Sequence, residues 1–245
     1  MKKYFNLYTC LNMVLALCTL VLGGIYCFQK GFDRDTAILI KTLASASFVL
    51  TGMIALFYAI KNNVKNLKFT MIMTVGLFFA MLGDILLELN FIIGALFFAI
   101  GHVFYFVAYC TISKFTWFDL IPAACIFVPA LLLLTIGPWF NFGGILMQIV
   151  CILYALIISC MVGKSIMNFI RTKSLLALII MIGSILFFIS DFVLVFNVFS
   201  EISASFSFMC ICTYYPAECI LALSLLIADK TEPMKKVEKK EEEIK

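Results

Sequence analysis

The chain has 245 residues, of which 64% are hydrophobic and 13% charged, and its mean hydropathy is +1.12. A soluble domain is closer to half apolar and a quarter charged, so the composition excludes one and defines a polytopic membrane protein. The net charge of +4 comes from groups at the ends of apolar segments, which gives no basis for nucleic-acid binding.

A bilayer span needs about 20 apolar residues. By that measure the sequence predicts eight helices, over 5–28, 36–60, 69–89, 91–112, 120–136, 140–163, 174–199 and 204–228. The first opens with Lys2 and Lys3 and continues apolar to about residue 28. Leu15 to Cys18 faintly resembles a lipoprotein cleavage box. Leu17 stands where a small residue is wanted, however, so an uncleaved first helix is expected. The fifth span is the shortest, and Pro122, Pro129 and Pro138 around it predict a kink or tilt. The connections are short, so consecutive helices are expected to be antiparallel neighbours in one all-α bundle over 1–228. The lysine- and glutamate-rich segment 229–245 has little to bury and is expected to be a disordered cytoplasmic tail.

Of the 18 lysines and arginines, all but Lys30, Arg34 and Lys41 fall on the side of the two termini under an eight-span count. The positive-inside rule then predicts both termini in the cytoplasm. The ten cysteines lie in or at the edges of apolar segments and form no CxxC. With a single histidine there is no Cys/His metal set, so they read as small buried hydrophobes.

Against this background a few polar residues stand out. Asp84 and Glu88 lie one turn apart on the third helix, Asp191 on the seventh, and His102 with Tyr105 on the fourth. Tyr214, Tyr215 and Glu218 lie on the last helix. Ionised groups in hydrocarbon are costly, and their retention marks a task or a partner. From the helical rise, Lys41 is expected about 7 Å, Asp84 about 9 Å and Asp191 about 12 Å below the same membrane boundary. Three charged groups on three helices are thus expected at a common depth. The competing readings are helix–helix ion pairing for the aspartates, snorkelling for Lys41 and simple packing for His102. Asn90 and Asn197 read as helix caps or substrate contacts. The paired phenylalanines 78–79, 97–98 and 187–188 read as core and lipid-facing filler, with an acyl-chain slot as the other possibility.

At these residues the chain resembles the YhhN-type lysoplasmalogenase family, integral membrane hydrolases of eight predicted helices. The matching stretches are Leu82-Gly83-Asp84-Ile85-Leu86, Gly94 through His102 to Tyr105, Phe188-Ile189-Ser190-Asp191 and Tyr214-Tyr215-Pro216-Ala217-Glu218. Thr42 replaces the proline of the family's Lys-Pro pair after Lys41. Glu218 stands where the family often has glutamine, and some members carry asparagine for the second aspartate.

The resemblance implies hydrolysis of the vinyl ether bond of lysoplasmalogens to a fatty aldehyde and a glycerophospho-base, without metal or cofactor. The substrate would be a lysophospholipid met within membrane lipid, in the plasma membrane or endoplasmic reticulum. It implies Asp84 and Asp191 as the catalytic acid and base, in either order, with Asp84 favoured as acid. Lys41, His102, Tyr105, Tyr214, Tyr215 and Glu218 would bind substrate or support them. Buried carboxyls separated in pKa suit such chemistry.

Rival readings are weaker. An intramembrane aspartyl protease would want glycine where Met81 stands, and a zinc amidohydrolase would want three histidines. From another class comes a multi-pass transporter or receptor with buried acidic residues, suggested by the two similar hairpins.

Overall fold

The computed structural model describes residues 2–28, 33–137, 139–201 and 206–231. Lys30, Pro138 and the tail from residue 232 onward lie outside the described residues. The described residues form eight long helices: α1 (Lys2–Phe28), α2 (Arg34–Lys61), α3 (Leu67–Leu89), α4 (Phe91–Ile112), α5 (Leu120–Ile136), α6 (Ile145–Thr172), α7 (Leu175–Phe199) and α8 (Phe206–Ser224). Single 3-10 turns at Trp117–Asp119 and Leu225–Ile227 precede α5 and follow α8. All eight helices are long and apolar enough to cross a membrane. The chain is therefore a multi-pass integral membrane protein.

Local chemistry accounts for the ends. Asp33 caps α2, accepting from the backbone N–H of Thr36 at 3.4 Å and from the Thr36 hydroxyl. These bonds hold its carboxyl below the ordinary aspartate range. Asn90 alone joins α3 to α4, and its side chain accepts from the Ile93 N–H at 3.1 Å, so it is a cap. So tight a hairpin needs close approach below it. A Cβ on Gly94 would sit 2.5 Å from the backbone of Leu87, and one on Gly83 2.7 Å from the Phe98 ring. Small residues let membrane helices meet this closely where apolar burial drives nothing.

The most extensive helix contacts are within two hairpins, α3 with α4 and α7 with α8. Helix α2 lies against α1, α3 and α8, while α6 lies against α4, α5 and α7. The buried core runs between these layers through Phe48, Leu77, Tyr105, Ile158, Phe187 and Leu221. Helix α5 stays helical through Pro129, and Pro122 sits in its first turn, where the missing N–H is no loss.

Helix α6 departs from the sequence expectation. It begins at Ile145 and continues to Thr172, well past the predicted end at residue 163. The prediction stopped where Lys164 breaks the apolar run. In the structure Lys164 is fully buried and is no loop residue. Its ammonium donates to Asp119 Oδ2 at 3.3 Å, Ser113 Oγ at 3.1 Å and the Lys114 carbonyl at 3.2 Å. Arg171 reaches the other Asp119 oxygen at 2.5 Å. Asn168 donates to the Tyr109 carbonyl at 2.8 Å and accepts from Ser113 at 2.6 Å. A paired charge no longer ends a membrane helix, because its burial is compensated by the partner.

Candidate active site

The site lies at the end of the bundle where α1, α3 and α7 finish and α2, α4 and α8 begin. Helical spacing builds it in pairs. Lys41 and Ser45 share one face of α2, and Asp84 and Glu88 share one face of α3, each pair one turn apart. Where the two faces meet, the Lys41 ammonium lies 2.8 Å from Glu88 and 3.7 Å from Asp84. The Ser45 hydroxyl donates to Asp84 Oδ2. The Tyr26 hydroxyl donates to Glu88 at 3.0 Å, and its ring lies 5.1 Å from the Lys41 ammonium. Lys41 is 5% exposed, so it is held by carboxylates and does not snorkel.

The second carboxyl comes from α7. Asp191 Oδ2 accepts the Tyr154 hydroxyl at 2.6 Å and lies 3.2 Å from His102 Nε2. His102 Nε2 is also 2.8 Å from the Tyr154 oxygen. A phenol has one proton. With the Tyr154 O–H directed at Asp191, His102 bearing hydrogen on Nε2 can donate to both oxygens. His102 Nδ1 has no hydrogen-bond partner among the described residues, as suits a bare ring nitrogen. Phe187, one turn before Asp191, packs edge-on against the imidazole at 4.7 Å.

These two groups face one cavity of about 250 Å³, lined among others by Tyr26, Lys41, Asp84, Glu88, Asp191 and Tyr214. Asn197 lines it as well. The residues singled out in the sequence thus divide. Lys41, Asp84, Asp191 and Tyr214 form the wall. His102 buttresses Asp191 from behind, and Tyr215 donates to Asp84 at 3.4 Å. Tyr105 and Glu218 lie deeper, where the Tyr105 hydroxyl donates to Glu218 Oε2 at 3.0 Å. The second oxygen of Glu218 finds no hydrogen-bond partner among the described residues. Thr42, in place of the family proline, donates to the Ile38 carbonyl at 2.7 Å, and α2 continues unbroken through it.

Sequence reasoning missed Ser45, Tyr26 and Tyr154. Ser45 carried a usable signal, since it follows Lys41 by one helical turn. Tyr26 resembles an interfacial aromatic, and Tyr154 resembles one more core ring. Nothing in their neighbours along the chain separates those readings.

Fold and site together define a multi-pass, all-α membrane protein with a buried carboxyl-lined chamber fed by two helical hairpins. Residues 36–225 match the YhhN family model, and the chain belongs to that family. No curated protein and no solved structure matches it.

Proposed function

We propose that the protein hydrolyses the vinyl ether bond of a lysoplasmalogen, releasing a fatty aldehyde and glycerophosphocholine or glycerophosphoethanolamine. The observation that carries this reading is that Asp84 and Asp191, from separate hairpins, line one cavity together with Lys41. Membership of the YhhN family supports it at family level.

Vinyl ether cleavage needs a proton donor for the β-carbon and a base that orients water toward the oxygen-bearing carbon. Lys41 sits closer to Glu88 than to Asp84, so one lysine is matched by one carboxylate and Asp84 is left to carry a proton. Asp191 Oδ2 is held from two sides by Tyr154 and His102, which fixes its carboxyl toward the cavity and suits it to orient water. In this scheme Asp84 protonates the β-carbon and leaves an oxocarbenium ion. Water adds to the oxygen-bearing carbon of that ion, forming the hemiacetal, and yields its proton to Asp191. The hemiacetal hydroxyl then returns a proton to Asp84 as the carbon–oxygen bond breaks, and Asp191 delivers its proton to the departing glycerol oxygen. Both carboxyls end as they began. Lys41 and Tyr26 border the end of the cavity where a phosphate-bearing head group would enter.

The test is aldehyde release from a defined lysoplasmalogen by purified protein in detergent. Asp84→Asn and Asp191→Asn should each reduce turnover by about 10²–10⁴-fold, with unchanged thermal unfolding. Near-normal release from either variant would overturn the scheme. Solute flux across sealed vesicles without any product would favour a carrier instead.

A further inference from the structure

A second cavity adjoins the polar one. It is a crevice of about 60 Å³ among α4, α5, α6 and α7, and it shares Leu87, Phe91, Phe98, Asp191 and Leu194 with the polar cavity. Apart from the Asp191 carboxyl, the Tyr154 hydroxyl and the Cys151 thiol, every side chain that the described residues place on its wall is hydrocarbon. Three of its positions, on three different helices, are alanines: Ala95, Ala130 and Ala155. Among the described residues Asp191 is the one carboxyl on both cavities. The charged partners of the site, Lys41 and Glu88, lie on the polar side only.

We infer that this crevice holds the hydrocarbon chain of a single-chain ether lipid whose polar head lies in the adjoining chamber, and that the three alanines set its width. The inference rests on the proposed lysolipid substrate and deepens it. An amphiphile laid across the two cavities has its head beside Lys41 and Glu88 and its chain among Phe98, Ala155 and Phe188. The junction between head and chain, where the ether bond sits, then falls at Asp191. Water gains nothing in a cavity with so few polar groups. A protein helix, about 10–12 Å across, does not fit. Of the six phenylalanines in sequence pairs, Phe98 and Phe188 reach this wall. Phe187 serves His102 instead.

The test uses a hexadecyl ether of glycerophosphoethanolamine carrying a diazirine in its chain, which the enzyme does not need to cleave. Photolysis in detergent with the full-length protein, followed by peptide mapping, should place adducts on the α5, α6 and α7 segments around Ala130, Ala155 and Phe188. Excess unlabelled hexadecyl ether should suppress them. Ala155→Phe should lower that labelling at least about tenfold, the equivalent of two displaced methylenes. Ala95→Phe fills the α4 wall and should act likewise. Adducts scattered over outward-facing positions without competition would overturn the inference. So would full labelling in both folded variants. Because the readout is binding, wild-type protein that labels in the crevice yet releases no aldehyde would sink the hydrolase reading and leave this one standing.

Discussion

Tyr154 donates to Asp191 over 2.6 Å and at the same time lies 2.8 Å from His102. The three side chains come from α6, α7 and α4 and close into a triangle whose only face toward the cavities is the Asp191 carboxyl with the tyrosine edge. This arrangement fixes the orientation of Asp191 from two directions.

Tyr154→Phe keeps the ring and removes that donor. A hydrogen bond to a charged group contributes about 1.5–3 kcal/mol, so turnover on a lysoplasmalogen should fall by about 10–100-fold with KM little changed. Steady-state aldehyde release checks it. An unchanged turnover number would mean that His102 alone orients Asp191.

Lys41→Met strands Glu88 in a largely buried site without its cation. Removing one partner of a buried ion pair costs about 3–5 kcal/mol. The variant should unfold at lower temperature in detergent, and adding Glu88→Gln should restore part of the loss. Equal unfolding temperatures for wild type and Lys41→Met would show that the pair is not a structural clamp.

Asp119→Asn acts at the opposite end of the bundle. It leaves the buried Lys164 ammonium and Arg171 without their shared carboxylate, a loss of about 3–5 kcal/mol. Thermal unfolding should drop, while the protein that remains folded should cleave substrate at the wild-type rate per molecule. A reduced rate in folded protein would tie this network to the site.

Gly94→Ala places a methyl against the Leu87 backbone, 2.5 Å from its Cα. Overpacking at a backbone contact costs about 1–3 kcal/mol. The expected result is a lower yield of monodisperse protein together with reduced thermal stability.

The eight spans were legible because hydropathy over a membrane thickness depends on little except side-chain identity. The third, fourth, fifth and seventh came out with nearly the boundaries expected. The end of α6 did not, because the cost of burying Lys164 is cancelled by Asp119, which lies on the far side of α5's first turn and is invisible to a local window. The site shows the same division. Asp84, Asp191 and Lys41 announce themselves as charges in apolar runs. Tyr154 does not, since a tyrosine within a hydrophobic helix looks alike whether its hydroxyl meets a carboxylate or packs away. The positions of Tyr105 and Glu218 one layer behind the cavity are likewise tertiary facts. Periodicity sets which face of a helix they occupy, and only packing decides how far inward that face sits.

The single-residue joint at Asn90, with Leu87 pressed against Gly94 beneath it, makes α3 and α4 one closely packed arm. Asp84 and His102 therefore ride on the same arm, while Asp191 rides on the opposing arm formed with α8. The seam between these arms is bridged by polar contacts from His102 to Asp191, Tyr105 to Glu218 and Tyr215 to Asp84, so the spacing of the two carboxyls is set by how the hairpins pack.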